Sequence, residues 1–95
     1  MDKEFCVYIM TNKNRTTLYT GMTSDLKKRV WEHNNNVVKS FTSRYNLHCL
    51  VYFECAGTFD EALVQETKIK AGSRQKKIDL INSINPEWRD LSEDL

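Results

Sequence analysis

The segment from Leu18 to Asn34, LYTGMTSDLKKRVWEHN, predicts a short strand, a turn and a helix in immediate succession. Its first residues are β-branched or aromatic, which favours a strand, and Gly21 is expected to interrupt that strand. Ser24 or Asp25 is the expected N-cap, because a short side-chain oxygen accepts a hydrogen bond from a free N–H of the first helical turn. The rest of the fold must therefore accommodate a strand that leads directly into a helix.

The helix in this segment carries two polar side chains on one stripe. Arg29 and His33 are four residues apart, so both project from the same side of the helix. Leu26 and Val30 have the same spacing and form a narrow apolar seam beside them. The preceding strand brings Tyr19 to the start of this helix, and this combination of groups suits binding of a phosphate.

Two further apolar runs predict strands. The run from Phe5 to Met10, FCVYIM, has almost no polar residue, which is typical of a central strand covered on both faces. A polar loop separates it from the second strand, expected from Thr17 to Gly21, and the two form an antiparallel hairpin. This hairpin brings Tyr8 and Tyr19 within reach of one another. The run from Cys49 to Cys55, CLVYFEC, is the third strand.

A second helix follows a capping box, with Thr58 as the N-cap and Glu61 three residues later. Glu66 lies on the otherwise apolar stripe of this helix. A carboxylate that faces inward must be paired, hydrogen-bonded or bound to a metal, because its desolvation is costly. Alternatively, Glu66 lies at the edge of the stripe and pairs with Lys70, four residues later. Periodicity alone leaves both interpretations open.

A third helix is expected after Ser73, and Asn85-Pro86 ends it because the proline ring disfavours helix at the preceding residue. Trp88 and Leu91 are expected to dock the C-terminal segment, whose last residues fray. The predicted order is β-β-α-β-α-α. We expect a single α+β domain over residues 1–95, with a small three-stranded, mostly antiparallel sheet flanked by helices.

Charge and composition limit the functional classes. From position 13 to position 77 the chain has twelve Lys or Arg against six Asp or Glu, whereas both ends are acidic. A basic middle is compatible with a phosphate-bearing partner, although such charges also simply solvate a surface. No apolar run approaches the roughly 20 residues of a membrane helix, and no signal-peptide pattern is present, so we expect a cytoplasmic protein without membrane association.

The three cysteines, Cys6, Cys49 and Cys55, are odd in number and lie in strand-like surroundings. They lack the C-x-x-C spacing of a zinc site, and their number does not indicate a disulfide framework. We expect them to be buried, reduced thiols.

Several of these residues together resemble the GIY-YIG nuclease superfamily, in particular its small stand-alone bacterial members. The two motifs of that family correspond here to Cys6-Val7-Tyr8 and Tyr19-Thr20-Gly21, on successive strands. Cys6 replaces a glycine, and Val7 and Thr20 each replace an isoleucine. The positions that the resemblance identifies as the catalytic residues are Tyr8, Tyr19, Arg29, His33 and Glu66.

The resemblance implies an endonuclease that hydrolyses phosphodiester bonds in DNA with one divalent cation, Mg²⁺ or Mn²⁺. Glu66 would hold the metal, and Arg29 would stabilise the charge that develops on the phosphate oxygens. Tyr8, Tyr19 and His33 would position or deprotonate the attacking water. An unperturbed His pKa near about 6.5 favours His33 as the general base over Tyr8, since a tyrosine ordinarily has a pKa near about 10.

DNA repair or recombination, with selectivity for DNA structure, is the setting that the resemblance implies, within a larger complex. The sequence contains no second, DNA-binding domain, so we expect weak binding without sequence preference. The alternative is a non-catalytic nucleic-acid-binding or adaptor module, although such a module needs no metal-binding carboxylate. Nothing in the sequence indicates the oligomeric state. The expected nucleic-acid contacts are Gly21, Lys39, Arg44, Lys70, Arg74 and Lys77.

Overall fold

The computed structural model describes residues 4–35 and 46–95, and the labels below number the elements of these residues in chain order. A helix precedes and two helices follow the third strand, as predicted. The strands are β1 (Phe5–Thr11), β2 (Leu18–Thr23) and β3 (Cys49–Ala56). The helices are α1 (Leu26–Asn34), α2 (Phe59–Ala71) and α3 (Arg74–Ile84), and a short 3-10 helix (Leu91–Asp94) ends the chain.

The three strands form one antiparallel sheet with the order β2-β1-β3. This arrangement confirms the predicted α+β fold with the element order β-β-α-β-α-α. The apolar strand β1 lies in the centre, as its composition predicted. The prediction that Gly21 interrupts the second strand is wrong, because β2 continues through Gly21 to Thr23.

The sheet separates two apolar cores, since successive side chains of a strand point to opposite faces. One face packs against α1 through residues that include Tyr8, Leu26 and Val30. The other face packs against α2 and α3, where Ala62, Ile69 and Ile81 are buried. The catalytic candidates on β1 and α1 therefore belong to the first face, whereas Glu66 belongs to a helix of the second.

The alternation of faces shifts by one residue in β3. Ile9 pairs with Tyr52, but Met10 pairs with Leu50, so Val51 is an extra residue in the ladder. Such a bulge lets neighbouring residues share a face, and both Val51 and Tyr52 lie in the core beneath α2 and α3. The apolar run of β3 contains no sequence signal for this bulge.

Helices α1, α2 and α3 begin at N-cap residues that the sequence predicted. Asp25, one of the two expected N-caps, accepts a hydrogen bond from the Lys28 amide at 3.2 Å. Thr58 accepts from the Glu61 amide at 3.2 Å, which confirms the N-cap half of the predicted capping box. Ser73 caps α3.

The apolar stripe of α2 is narrower than predicted. Ala62 and Ile69 are buried, but Phe59 and Leu63 are exposed by 48% and 40%. The helix contacts the sheet along one edge, and Glu66 lies between the buried and exposed sides with 15% of its side chain exposed. No helix of the described residues is long and apolar enough to cross a membrane.

Two of the cysteines form a disulfide, so the prediction of reduced thiols is wrong for this pair. Cys6 of β1 lies directly opposite Cys55 of β3 in the antiparallel register, and the two sulfurs are bonded. Sequence spacing could not reveal this, because strand pairing brings together residues that are 49 positions apart. Cys49 has a free thiol and is half-buried.

The segment after α3 covers part of the free edge of β3. The buried Asn85 side chain donates to Val51 O at 3.0 Å and to Arg89 O at 2.9 Å, and it accepts from the Arg89 amide at 3.1 Å. Asp90 accepts from the Leu50 amide at 3.2 Å. Side-chain groups therefore satisfy backbone atoms that an edge strand leaves unpaired.

We expect Asn85→Ala to lower the free energy of unfolding by about 2–3 kcal/mol, because it removes the side-chain partner of the buried Val51 carbonyl and of the partly buried Arg89 backbone groups. Urea unfolding followed by circular dichroism measures this change. Asn34→Ala, at the exposed end of α1, is the control and should change stability by less than about 0.5 kcal/mol. Equal effects of the two substitutions would contradict a structural role for the Asn85 amide.

Candidate active site

Tyr8 lies at the centre of the predicted catalytic residues. Its side chain is fully buried, and its register partner across β1 and β2 is Gly21. A Cβ atom at position 21 would lie 2.5 Å from Tyr8 Oη and 3.0 Å from Tyr19 Cε1. This position of the strand therefore requires glycine, because the Tyr8 ring occupies the space that a side chain would fill.

Tyr8, Tyr19 and His33 form one aromatic cluster. The ring centroid of Tyr8 lies 6.3 Å from that of Tyr19 and 5.8 Å from that of His33. The ring centroids of Tyr19 and His33 are 6.1 Å apart. The hairpin thus brings the two tyrosines together as predicted. Helix α1 supplies His33, which is buried on the same side of the helix as Leu26 and Val30.

The Tyr8 hydroxyl is paired with His33. Tyr8 Oη lies 3.1 Å from His33 Nε2, within hydrogen-bond distance. The direction of this bond follows the tautomer of His33, and Tyr8 donates to Nε2 when the imidazole proton is on Nδ1. Arg29 lies near enough for its positive charge to lower the pKa of Tyr8.

The surroundings raise the pKa of Tyr8 well above its ordinary value. Burial is the largest cause, and the neighbouring Tyr19 adds to it. The positive charge of Arg29 acts in the opposite direction, whereas Glu66 raises the pKa further. The Tyr8 hydroxyl consequently keeps its proton at neutral pH.

The pKa of His33 moves the other way. Burial lowers it below the usual value near 6.5, and the positive charges of Arg29 and His48 lower it further, while Glu32 opposes them. His33 is therefore neutral at pH 7 and able to accept a proton.

Arg29 is the solvent-facing member of the group. Its side chain is 44% exposed, and its Nε lies 3.5 Å from Glu32 Oε1, one turn along α1. A partly exposed ion pair of this kind contributes little stability. The guanidinium therefore remains accessible to a phosphate and lies near enough to Tyr8 to lower the pKa of its hydroxyl.

Glu66 approaches the cluster from the other face of the sheet. Its carboxylate lies 3.5 Å from Lys70 Nζ, so the ion pair considered for the edge of the stripe is present. The negative charge of Glu66 nevertheless acts on Tyr8, and α2 packs closely against β2. Glu66 thus belongs to the surroundings of the Tyr8 hydroxyl.

The oxygen atoms of Glu66 and Thr20 are of the kind that a hard divalent cation binds. Lys70, the partner of Glu66, lines a cleft of about 390 Å³ together with Tyr19 and Thr20. Thr20 Oγ1 is buried and has no hydrogen-bond partner among the residues that the structure describes. A carboxylate and an unpaired hydroxyl provide oxygen, which Mg²⁺ prefers, and Mg²⁺ commonly uses one or two carboxylates and completes its shell with water and substrate phosphate.

Within residues 4–35 and 46–95, the one grouping of three potential metal-binding side chains, Glu4, Cys6 and Cys55, does not include Glu66. Its two sulfurs are bonded to each other and are therefore not available as thiolate ligands.

Comparison with known proteins identifies the family of this chain. Residues 4–79 match the family model described as the GIY-YIG catalytic domain. The chain belongs to the GIY-YIG family. This result confirms the resemblance and places the domain in a nuclease superfamily.

Relatives of this GIY-YIG domain include small proteins of similar length. A UPF0213 protein of Staphylococcus saprophyticus is 43% identical over 82 residues, which cover 86% of this chain and 98% of that protein. A UPF0213 protein of Haloquadratum walsbyi is 41% identical and covers 75% and 79% of the two chains. The solution NMR structure of a UPF0213 protein from Bacillus halodurans aligns over 95% of both chains with a TM-score of 0.60 and 26% identity.

The structure describes four of the six predicted nucleic-acid contacts of the GIY-YIG domain. Lys77 lines the same cleft as Lys70, and Arg74 is exposed and donates to Arg15 O at 3.1 Å. Gly21 is buried against Tyr8, and its proposed contact with nucleic acid remains a prediction. Lys39 and Arg44 lie outside the described residues.

The sequence did not predict where two residues of this GIY-YIG domain, Thr20 and His48, lie in the structure. Thr20 appeared only as a replacement within the second motif, yet its buried hydroxyl lies beside the cleft near Glu66. His48 is close enough to influence the pKa of His33, although the two are 15 positions apart. The available signal was its position one residue before the third strand, whose start lies beside the end of β1.

Proposed function

We propose that this GIY-YIG domain is an endonuclease that hydrolyses phosphodiester bonds in DNA with a divalent cation, Mg²⁺ or Mn²⁺. The observation that carries the proposal is the convergence of four groups on one hydroxyl. His33 hydrogen-bonds to Tyr8, the Tyr19 ring packs beside it, and the charges of Arg29 and Glu66 act on its pKa in opposite directions. These side chains come from both strands of the hairpin and from two helices, so a purely structural role explains their meeting poorly.

The hydrogen bond between Tyr8 and His33 suggests a path for the proton of the attacking water. Tyr8 accepts this proton on its oxygen as it transfers its own hydroxyl proton to His33 Nε2. The lowered pKa of His33 keeps its Nε2 atom unprotonated at neutral pH, so this atom can accept a proton. His33 is then the general base and Tyr8 the relay, because the raised pKa of Tyr8 disfavours a stable tyrosinate.

Charge stabilisation is the second part of the proposal. Arg29 binds the non-bridging phosphate oxygens through its exposed guanidinium. Its hydrogen bonds strengthen as negative charge develops on these oxygens in the transition state. Glu66 would hold the cation, which supplies Lewis-acid polarisation of the phosphoryl group and stabilisation of the leaving oxygen. Lys70 and Lys77 beside this site would contact neighbouring phosphates.

The decisive experiment is cleavage of plasmid, linear, flapped and branched DNA by the purified protein with Mg²⁺ or Mn²⁺. We expect metal-dependent cleavage that Arg29→Ala and Glu66→Gln both abolish, and a preference for branched substrates would indicate a role in repair or recombination. Lys27→Ala, on the exposed side of α1, is the matched control. Equal cleavage by the wild type and the two site variants would overturn the proposal.

A non-catalytic nucleic-acid-binding module is the second candidate. The Glu66–Lys70 ion pair favours it, since it neutralises the carboxylate without a metal. This candidate predicts a DNA footprint that does not depend on divalent cations and is unchanged by Glu66→Gln. Metal-dependent strand cleavage would eliminate it.

The pH dependence follows from the lowered pKa of His33. The base must be unprotonated, so kcat/KM should rise with pH through a midpoint below about 6.5 and level off above it. A pH profile at saturating metal measures the midpoint. We expect His33→Asn to remove this titration and most of the activity, and a midpoint above about 7 would contradict the assignment.

Lys70 should compete with the metal for Glu66. Lys70→Gln removes a positive charge 3.5 Å from the carboxylate, so we expect the apparent Kd for Mn²⁺ to fall several-fold. Titration followed by electron paramagnetic resonance measures Mn²⁺ binding directly. Lys76→Gln, exposed on α3, provides a control of the same charge change. An identical Kd for all three proteins would place the metal away from Glu66.

A further inference from the structure

A pocket of about 570 Å³ lies at the end of the β1–β2 hairpin, outside the catalytic cluster. The hairpin loop, the start of β3 and the segment after α3 form its walls, and we call it the hairpin-end pocket. The residues that matter here are Lys13, Arg15, Asn46, His48 and Trp88.

The backbone around this pocket adopts an unusual conformation at three places. Arg15, Asn46 and Trp88 have φ angles of 59°, 55° and 56°, and they are the non-glycine residues with positive φ in the part of the chain that the structure describes. This region is costly for side chains larger than glycine, and least so for asparagine. Residues held in such conformations cluster at functional sites. All three line the hairpin-end pocket.

Several contacts fix the cationic side of the pocket. The Arg15 guanidinium lies 5.6 Å from the centroid of the Trp88 ring and donates to Glu87 O at 3.0 Å. Trp88 Nε1 in turn donates to Asn82 Oδ1 at 2.7 Å. The Arg15–Trp88 pair therefore presents a positioned charge beside an aromatic ring.

Among residues 4–35 and 46–95, no ion pair neutralises the positive charge of this wall. Neither Lys13 nor Arg15 forms a salt bridge with a residue of segments 4–35 and 46–95. Asp90 also lines the pocket, but its carboxylate accepts hydrogen bonds from the Leu50 and Ser92 amides at 3.2 and 3.0 Å. The pocket can consequently attract an anion.

The pocket lies close to the catalytic cluster. Thr11, which lines it, follows Tyr8 by three residues along β1, a distance of roughly 10 Å in a strand. His48 lines the pocket and also influences the pKa of His33. A DNA strand bound at Tyr8 would thus reach the pocket within a few nucleotides.

We propose that the hairpin-end pocket binds one unpaired nucleotide of the substrate strand near the cleaved bond. Its phosphate contacts Lys13 and Arg15, and its base packs against the Arg15–Trp88 pair. A cationic group beside an aromatic ring is the combination that binds single-stranded nucleic acid, since every base has a face that stacks. The identity of the ligand as DNA rests on the proposed function.

Trp88 offers a direct probe of this contact. The chain has two tryptophans, and Trp31 is 59% exposed on α1, so Trp31→Phe leaves Trp88 as the sole tryptophan. We would titrate this variant with decathymidylate in EDTA, which prevents cleavage. We expect saturable quenching of Trp88 fluorescence, and about fivefold weaker binding after Lys13→Ala, with the salt slope reduced by about 0.7. Lys27→Ala is the matched control.

A decamer of abasic sites separates base binding from phosphate binding. It has the same phosphates, so we expect about tenfold weaker binding without quenching. Equal affinity for both decamers, or no change in Trp88 fluorescence, would overturn the proposal. Because these measurements need no metal, quenching in a protein that cleaves nothing would support the pocket while the proposed catalysis fails. Cleavage without quenching would overturn the pocket alone.

Discussion

Glu66→Gln should lower the rate of metal-dependent DNA cleavage by about a thousandfold or more. The substitution keeps the size of the side chain but removes the charge that would hold the cation, and the polarisation supplied by such an ion is worth several kcal/mol. The carboxylate is mostly buried and acts on Tyr8, so its loss also changes the surroundings of the proposed proton relay. Single-turnover cleavage at several metal concentrations measures the effect.

Two observations separate this loss from unfolding. Glu61→Gln changes the same residue type at an exposed position in the first turn of α2, and it should leave cleavage within about twofold of the wild type. The circular dichroism spectra of both variants should match that of the wild type. If Glu66→Gln retained full activity at low metal concentration, Glu66 could not be the metal ligand.

Gly21→Ala should reduce activity at least tenfold and lower the free energy of unfolding by about 1–3 kcal/mol. The added Cβ would lie 2.5 Å from Tyr8 Oη and 2.6 Å from Tyr8 Cζ, so the ring has to move. Tyr8 is fully buried and bound to His33, so this movement breaks the hydrogen bond between them. Cleavage assays and urea unfolding of one protein preparation measure both effects.

Gly57→Ala is the matched control for this substitution. No heavy atom lies within 4 Å of a Cβ at Gly57, and its φ angle is not positive. We expect this variant to fold and cleave like the wild type, or to be slightly more stable, because alanine reduces the freedom of the unfolded chain. Similar losses in both glycine variants would indicate a general effect of replacing glycine rather than a clash with Tyr8.

The strands and helix starts of this fold could be predicted because their signals are local. The apolar run of β1 and the short polar caps at Asp25 and Thr58 each act within a few residues. The need for glycine at position 21 within β2 could not be predicted in this way, because it depends on a tyrosine of the neighbouring strand. The Cys6–Cys55 disulfide likewise depends on the register between strands.

The aromatic part of the candidate site was predictable for the same reason. A hairpin brings Tyr8 near Tyr19, and helical spacing places His33 one turn beyond Arg29. The environment of Glu66 was not, since periodicity describes one helix and the approach of α2 to β2 is a tertiary contact. The hairpin-end pocket combines three distant segments, and the polar loop before β2 contains no signal for it.

The sheet order limits how DNA or another chain can reach the site. The aromatic cluster lies on the α1 face and Glu66 on α2, and β2 is the edge strand between them. At the other edge, Asn85 and Asp90 already bind backbone groups of β3. An additional strand paired to β2, from a fusion partner or a second copy, would therefore obstruct the approach of a bulky polymer to both halves of the site. Fusion partners and surface tethers for this domain are best placed away from the β2 edge.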